Sequence, residues 1–91
     1  IDAALLKEVR EKREYIFKTL ENAEGVESVT GLGIMIGIKT KKEAKVVVNE
    51  CMKRGVLALT AKDKVRLLPP LNIPFDVLKK AIDVIIDVCK E

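Results

Sequence analysis

Arg66 combines a chemically useful side chain with a position that a sheet would hold rigidly. It stands within Val65–Leu68, a short run of strand-forming residues that ends at Pro69 and Pro70. A guanidinium group that projects from a sheet can bind a carboxylate through two parallel hydrogen bonds. The alternative is an arginine without a ligand on an exposed edge strand, and the spacing alone leaves both interpretations open.

Other glycine-rich and basic stretches give weaker indications of chemistry. Gly31-Leu32-Gly33 resembles part of a phosphate-binding loop, but it lacks a third glycine and no helix pattern follows it directly, so a bend between two strands is expected. No pair of carboxylates stands where two strands end side by side, so no residue is predicted to be catalytic. Five lysines near predicted turns are expected to face solvent, namely Lys39, Lys41, Lys42, Lys62 and Lys64.

The composition excludes several classes of function. The 91 residues include 17 lysines and arginines, 14 acidic residues and no histidine, which gives a net charge of +3 and removes histidine-dependent nucleophilic and metal chemistry. Three aromatic residues and a mild positive charge do not form a surface for stacking nucleic-acid bases. No apolar run approaches the ~20 residues of a membrane span. Neither nucleic acid nor a membrane is therefore predicted as a partner.

The two cysteines indicate a reducing compartment. Cys51 and Cys89 lie far apart in the sequence, form no CxxC motif and fall within apolar helical stretches. They are expected to be reduced, largely buried thiols of a cytoplasmic protein. A disulfide or a reactive thiol is the alternative, and no neighbouring residue supports it. The same spacing provides no set of metal ligands.

Hydrophobic periodicity and turn residues predict three helices and four strands in the order α-β-β-α-β-β-α. Such an order favours an α+β two-layer sandwich, with a small, mainly antiparallel sheet and helices on one face. The chain has no linker and no internal repeat, so residues 1–91 are expected to form a single domain. Helices are predicted over about 2–22, over 40–55 with a capping box at 40–43, and over 74–89. Strands are predicted over 26–30, 34–38, 56–60 and 65–68.

The second predicted strand is the most apolar. Ile34–Ile38 is a continuous apolar run, which is typical of a strand buried on both faces. Gly37 within it indicates that another backbone or side chain approaches closely. A sheet with one bare face would also need a partner.

Several ordered motifs resemble the C-terminal segment of class III pyridoxal-phosphate aminotransferases, and most closely the acetylornithine type, with the succinylornithine type as the alternative. The similarity covers essentially the whole chain, in the same order and spacing. It implies the small C-terminal domain of fold-type I enzymes, in which Arg66 would bind a substrate carboxylate. The motifs are Val29-Thr30-Gly31-Leu32-Gly33-Ile34-Met35-Ile36-Gly37-Ile38, Arg54-Gly55-Val56-Leu57, Leu59-Thr60-Ala61 and Val65-Arg66-Leu67-Leu68-Pro69-Pro70-Leu71.

The resemblance also implies what lies outside this chain. The lysine that binds pyridoxal phosphate, the phosphate-binding loop and the partner of the pyridine nitrogen belong to the family's large domain. The chain, which starts at Ile1 rather than Met, is accordingly expected to be a fragment of a longer cytoplasmic, homodimeric enzyme. Its small-molecule substrates would be N-acetylornithine and glutamate or 2-oxoglutarate, in arginine biosynthesis. The fragment alone would be inactive.

Two positions depart from the family pattern. Many relatives have arginine where this chain has Thr30, and glycine where it has Lys62. The second difference predicts a hairpin turn of different shape near Arg66. A competing hypothesis is a free-standing α+β module without catalysis, which binds a small carboxylate or associates with itself through the sheet.

Overall fold

A computed structural model describes residues 3–32, 35–70 and 72–91. Their elements follow the predicted order, and Gly33, Ile34 and Leu71 of the motifs above lie outside the described residues. The helices and strands are α1 (Ala3–Leu20), β1 (Val26–Leu32), β2 (Met35–Thr40), α2 (Ala44–Lys53), β3 (Leu59–Ala61), β4 (Lys64–Leu67) and α3 (Phe75–Lys90).

The described strands form one four-stranded sheet in the order β1-β2-β4-β3. Each neighbouring pair is antiparallel, which confirms the predicted sheet. Strand β4 therefore lies inside the sheet, between β2 and β3. Among the described helices, none is long and apolar enough to cross a membrane.

One face of the sheet is buried and the other is open. In β2, Ile36 and Ile38 are fully buried, whereas Met35 and Lys39 are exposed. The helices pack over the side that Ile36 and Ile38 occupy, and they form one core with it. The prediction that Ile34–Ile38 is buried on both faces is therefore wrong for its described residues, because alternate side chains of this strand point away from the helices.

Helix α3 supplies the largest share of the helical core. Its buried residues recur at spacings of three and four, so one stripe of the helix faces the sheet and the other helices. Burial of each large aliphatic side chain in this layer contributes about 1.5–3 kcal/mol of transfer free energy. The stripe consists of Leu78, Ile82, Ile85, Val88 and Cys89.

The predicted capping box at the start of α2 is wrong. Thr40 is the last residue of β2, and its hydroxyl donates a hydrogen bond to the carbonyl oxygen of Lys42 at 2.7 Å. Helix α2 begins at Ala44, and Glu43 at its N-cap makes no side-chain capping bond. Because the sheet holds Thr40 opposite Val26, its hydroxyl closes a local turn instead of capping the helix.

The third strand is shorter than predicted, because Gly55 and Val56 belong to a hydrogen-bonded motif that ends α2. Gly55 has φ of 88°, its amide donates to Met52, and the amide of Val56 donates to Cys51. These two bonds form a Schellman motif. Val56 therefore completes the helix, and β3 covers Leu59–Ala61 instead of 56–60.

A hairpin joins β3 to β4, as predicted, but its connection has two residues instead of the predicted four. Ala61 pairs with Lys64, and Lys62 between them has φ of 59°. A positive φ costs a non-glycine residue about 1–2 kcal/mol. Lys62 thus adopts a backbone conformation that glycine adopts readily.

We expect Lys62→Gly to stabilise the 91-residue chain by about 0.5–1 kcal/mol, because relief of the left-handed conformation exceeds the entropy cost of glycine. Denaturant unfolding would measure the change in free energy. Asp63→Gly is the matched control, since among the described non-glycine residues positive φ is confined to Lys62. Asp63→Gly should lower the free energy of unfolding. A destabilised Lys62→Gly chain would contradict the explanation.

Candidate functional site

Arg66 projects from the open face of the sheet. Its neighbours Val65 and Leu67 are buried against the helices, so alternation places the guanidinium on the opposite side. Because β4 is an inner strand, the alternative of an arginine on an edge strand is wrong. Pairing on both sides of β4 holds the base of this side chain in a fixed position.

A row of four residues crosses the open face at Arg66. Leu59 of β3 pairs with Arg66, Arg66 pairs with Gly37, and Gly37 pairs with Thr30 of β1. Residues directly opposite each other in an antiparallel sheet project to the same face. Arg66 and Thr30 therefore stand on either side of Gly37.

Gly37 forms the floor of a depression of about 280 Å³ in this face. A Cβ atom at Gly37 would lie 3.4 Å from the Thr30 hydroxyl oxygen and 3.7 Å from Cδ of Lys64. These are ordinary van der Waals distances, so the structure does not confirm the close approach predicted at this glycine. The nearest groups are the side chain of Lys64 and both the hydroxyl and backbone of Thr30. Arg66, Met35 and the backbone around them complete the walls.

The Arg66 guanidinium is free of protein partners within the part of the chain that the structure describes. No described residue forms a hydrogen bond or an ion pair with it. The other arginines with described contacts are occupied: Arg13 donates to the Gly31 carbonyl at 2.9 Å, and Arg54 bonds to a carboxylate oxygen of Glu91 at 2.7 Å. Arg66 thus offers a permanently charged fork of donors to a ligand.

Lys64 is a second cation at the depression, and the sequence analysis missed it. Its ammonium group donates to the Thr30 hydroxyl at 3.4 Å, and its stem passes over Gly37. The prediction of a fully solvated lysine in the turn is wrong for Lys64, which is only partly exposed, whereas Lys62 is exposed. The sequence did contain a signal for this position of Lys64. Side chains alternate between the two faces along a strand, so residues 64 and 66 project to the same face.

The remaining basic candidates lie elsewhere. Lys39 is 4.0 Å from the carboxylate of Asp63, an exposed pair. Lys42 donates to the carbonyl oxygen of Val88 at 2.8 Å, in the last turn of α3. The expectation that Lys42 lies in a solvated turn is therefore wrong, because its charge stabilises the carboxyl end of a helix.

The prediction of a bend is wrong at Gly31, which belongs to strand β1, and this residue forms no phosphate-binding loop. Strand β1 continues through Gly31 to Leu32, and the glycine pairs with Ile36 of β2. A Cβ atom there would lie 2.1 Å from the carbonyl oxygen of Met35, and φ is 154°, so glycine is required for the strands to approach. The other half of the predicted bend, Gly33, lies outside the described residues.

Both cysteines are buried and free, as predicted. Burial raises the pKa of each thiol, and for Cys89 burial together with nearby Cys51 raises the pKa to about 11. A neutral buried thiol is a poor nucleophile. Neither cysteine is therefore a candidate catalytic group.

The residues that line the depression do not fit pyridoxal phosphate by themselves. They supply two cations and a hydroxyl, but no carboxylate for a pyridine nitrogen. No described helix begins at the depression to receive a phosphate. Across residues 3–32, 35–70 and 72–91, no group of three acidic or cysteine side chains could hold a metal ion. The arrangement fits one small anionic ligand.

The sequence matches the profile of the family Aminotransferase class-III over residues 1–89. The chain belongs to that family. It is 40% identical to the acetylornithine aminotransferase of Haemophilus ducreyi, an alignment that covers 100% of this chain and 24% of that protein. It is 36% identical to the acetylornithine aminotransferase of Clostridium acetobutylicum, over 84% of this chain and 21% of that protein.

Solved structures of aminotransferases share the fold. The ornithine aminotransferase of Toxoplasma gondii superposes with a TM-score of 0.82 at 18% identity, over 96% of this chain and 23% of that one. The acetylornithine aminotransferase of Elizabethkingia anophelis gives a TM-score of 0.78 at 20% identity, over 93% and 25% of the two chains. The chain thus spans about a quarter of the length of these relatives.

The raised pKa of Cys89 predicts a loss of stability at high pH. The unfolded chain releases this proton near pH 9 and the folded chain near pH 11, so the free energy of unfolding should fall as pH rises through that range. We expect a fall of about 1–3 kcal/mol. Denaturant unfolding at pH 8 and pH 11 would measure it. Cys89→Ala should show a smaller fall, and an equal fall in both proteins would contradict the assignment.

Proposed function

We propose that these residues form the C-terminal domain of an acetylornithine-type aminotransferase. The whole enzyme would transfer an amino group between N-acetylornithine and 2-oxoglutarate, in arginine biosynthesis in the cytoplasm. Family membership and the 36–40% identity to acetylornithine aminotransferases support this activity. Ornithine aminotransferases among the structural neighbours share the fold only.

The role of the domain is to bind a carboxylate of the substrate through Arg66. The observation that carries this role is a guanidinium group without a described protein partner, fixed on an inner strand beside a depression. A charge-assisted pair of hydrogen bonds to one carboxylate both holds and orients a small substrate. Gly37 keeps the floor of the depression low enough for the ligand to lie beside Arg66.

The remaining machinery would lie in the rest of a longer, homodimeric polypeptide. Class III aminotransferases depend on pyridoxal phosphate, which acts as an electron sink during amino transfer. The depression does not fit this cofactor by itself, and the resemblance to class III aminotransferases implies that the lysine that binds it would belong to the large domain. Residues 1–91 would then contribute substrate binding and part of the cleft wall, and would be inactive alone.

We expect Arg66→Ala in the full-length enzyme to raise the KM for 2-oxoglutarate about 30- to 100-fold, because a charge-assisted bidentate contact is lost. Steady-state kinetics would measure the change. Arg66→Lys should recover only part of it, since an ammonium group lacks the planar fork.

Arg10→Ala is the matched control, because Arg10 is an exposed arginine of α1 that does not line the depression. It should leave the KM within about twofold, as expected for an exposed surface substitution. An unchanged glutamate half-reaction in Arg66→Ala would refute the assignment of Arg66.

The 91-residue chain should form no specific lysine adduct with pyridoxal phosphate. Absorbance titration would show only slow, unsaturable reaction with exposed lysines, whereas the full-length enzyme should show saturation at one lysine per chain. A saturable adduct on the isolated chain would contradict the proposed division between the two domains.

A further inference from the structure

We propose that a basic cleft, which is separate from the depression beside Arg66, binds a small oligophosphate anion. The cleft lies between the end of β2, the start of α2 and the β3–β4 hairpin, and its volume is about 790 Å³. This volume falls within the range of about 300–1,000 Å³ that is usual for small-molecule sites. The cleft shares no lining residue with the depression. The proposal goes beyond amino transfer and does not depend on it.

The excess positive charge of the chain is gathered at this cleft. Five of the 17 basic residues and two of the 14 acidic residues line it, so its formal charge is +3. The 12 basic and 12 acidic residues elsewhere in the chain cancel one another. A concave surface with charge of one sign concentrates ions of the opposite sign. The cations of the cleft are Lys39, Lys41, Lys42, Lys45 and Lys62, and its carboxylates are those of Glu43 and Asp63.

Three of these lysines keep their ammonium groups free for a ligand. Lys41, Lys45 and Lys62 are exposed, and none of them makes an ion pair or a side-chain hydrogen bond with a described residue. Lys39 and Lys42 already have partners, a carboxylate at 4.0 Å and a backbone carbonyl oxygen at 2.8 Å respectively. Each free ammonium group offers three protons to an anion. The cleft therefore presents several donors of like charge that await a common acceptor.

The backbone of the β3–β4 hairpin supports a role for Lys62. Its φ of 59° lies in the left-handed region, which glycine adopts freely and other residues adopt at a cost in free energy. The turn nevertheless holds a lysine, and this exposed lysine lines the cleft. Backbone strain of this kind is found preferentially at functional residues.

The chemistry of the cleft favours a chain of phosphate groups. Among the described residues that line it there is no arginine, so it lacks the planar fork of donors that Arg66 offers to a carboxylate. Lysine binds phosphate as a compact point charge. An excess of three positive charges is balanced by a ligand with at least three negative charges. Two or more linked phosphate groups carry that charge, whereas a single phosphate at pH 7 carries about two at most.

Isothermal titration of the full-length enzyme with inorganic tripolyphosphate tests the proposal, with ATP and inorganic phosphate as the comparison ligands. We expect tripolyphosphate to bind at least about tenfold more tightly than phosphate, and binding should weaken as salt screens the lysines. ATP binding as tightly as tripolyphosphate would identify the phosphates of a nucleotide as the ligand, and weaker ATP binding would identify an inorganic oligophosphate. Equal affinity for tripolyphosphate and phosphate, or no binding of either, would overturn the proposal.

The variants locate the site and separate binding from folding. Lys62→Gly should weaken tripolyphosphate binding about threefold to tenfold, although the fold is expected to become more stable, so unfolding does not explain the loss. Lys41→Gln combined with Lys45→Gln should weaken it about 20-fold. Asp63→Asn should strengthen it about twofold to fivefold, because a carboxylate leaves the cleft. Exposed Lys80→Gln on α3 is the charge-matched control and should change the affinity less than about twofold.

The outcomes also separate this cleft from the proposed function. Arg66→Ala should leave tripolyphosphate binding within about twofold even where amino transfer is impaired, and a large loss in this variant would overturn the separate site. A loss in Lys80→Gln equal to that in Lys62→Gly would overturn the proposal as well, because net charge alone would then explain the binding. Weaker binding to Asp63→Asn would contradict the electrostatic argument.

Discussion

The placement of the candidate site depends on the one-sided burial of strand β4. Val65 and Leu67 are held in the core by the helices, so the residue between them must face the open side of the sheet. A shift of one residue in this strand would bury a guanidinium group and expose two aliphatic side chains. The free energy of core packing therefore fixes the direction of Arg66.

The same constraint explains why much of the fold follows from the sequence. The alternation of buried and exposed residues in β4 and the spacing of buried residues in α3 are set by burial. Burial is visible in the sequence as a hydrophobic pattern. The order of elements and the antiparallel sheet were predictable for that reason. Gly55 at the end of α2 was predictable for another reason, because glycine adopts the positive φ found there without steric cost. The position of Arg66 on a strand was predictable too, but its place on an inner strand required the pairing of β2 with β4.

Two of the errors arise where tertiary contacts decide between local options. Thr40 has the sequence context of a helix cap, yet pairing with Val26 holds it at the end of a strand. Lys64 has the sequence context of a turn lysine, yet the sheet register brings it over Gly37. A third error is local: Val56 has a high strand propensity, yet its amide bonds to Cys51 and completes the C-terminal motif of α2.

The described residues hold a fixed cation on a rigid sheet and a depression beside it. An arrangement of this kind can bind and orient one small anionic ligand. The residues that line the depression do not fit pyridoxal phosphate by themselves.

The most direct test of the central claim is a crystal structure of the full-length enzyme with bound 2-oxoglutarate. The account predicts one carboxylate of the ligand in a two-bond contact with the Arg66 guanidinium, at about 2.7–2.9 Å for each nitrogen–oxygen pair. A ligand bound at the cofactor with both carboxylates held by other residues, and Arg66 directed to solvent, would contradict it.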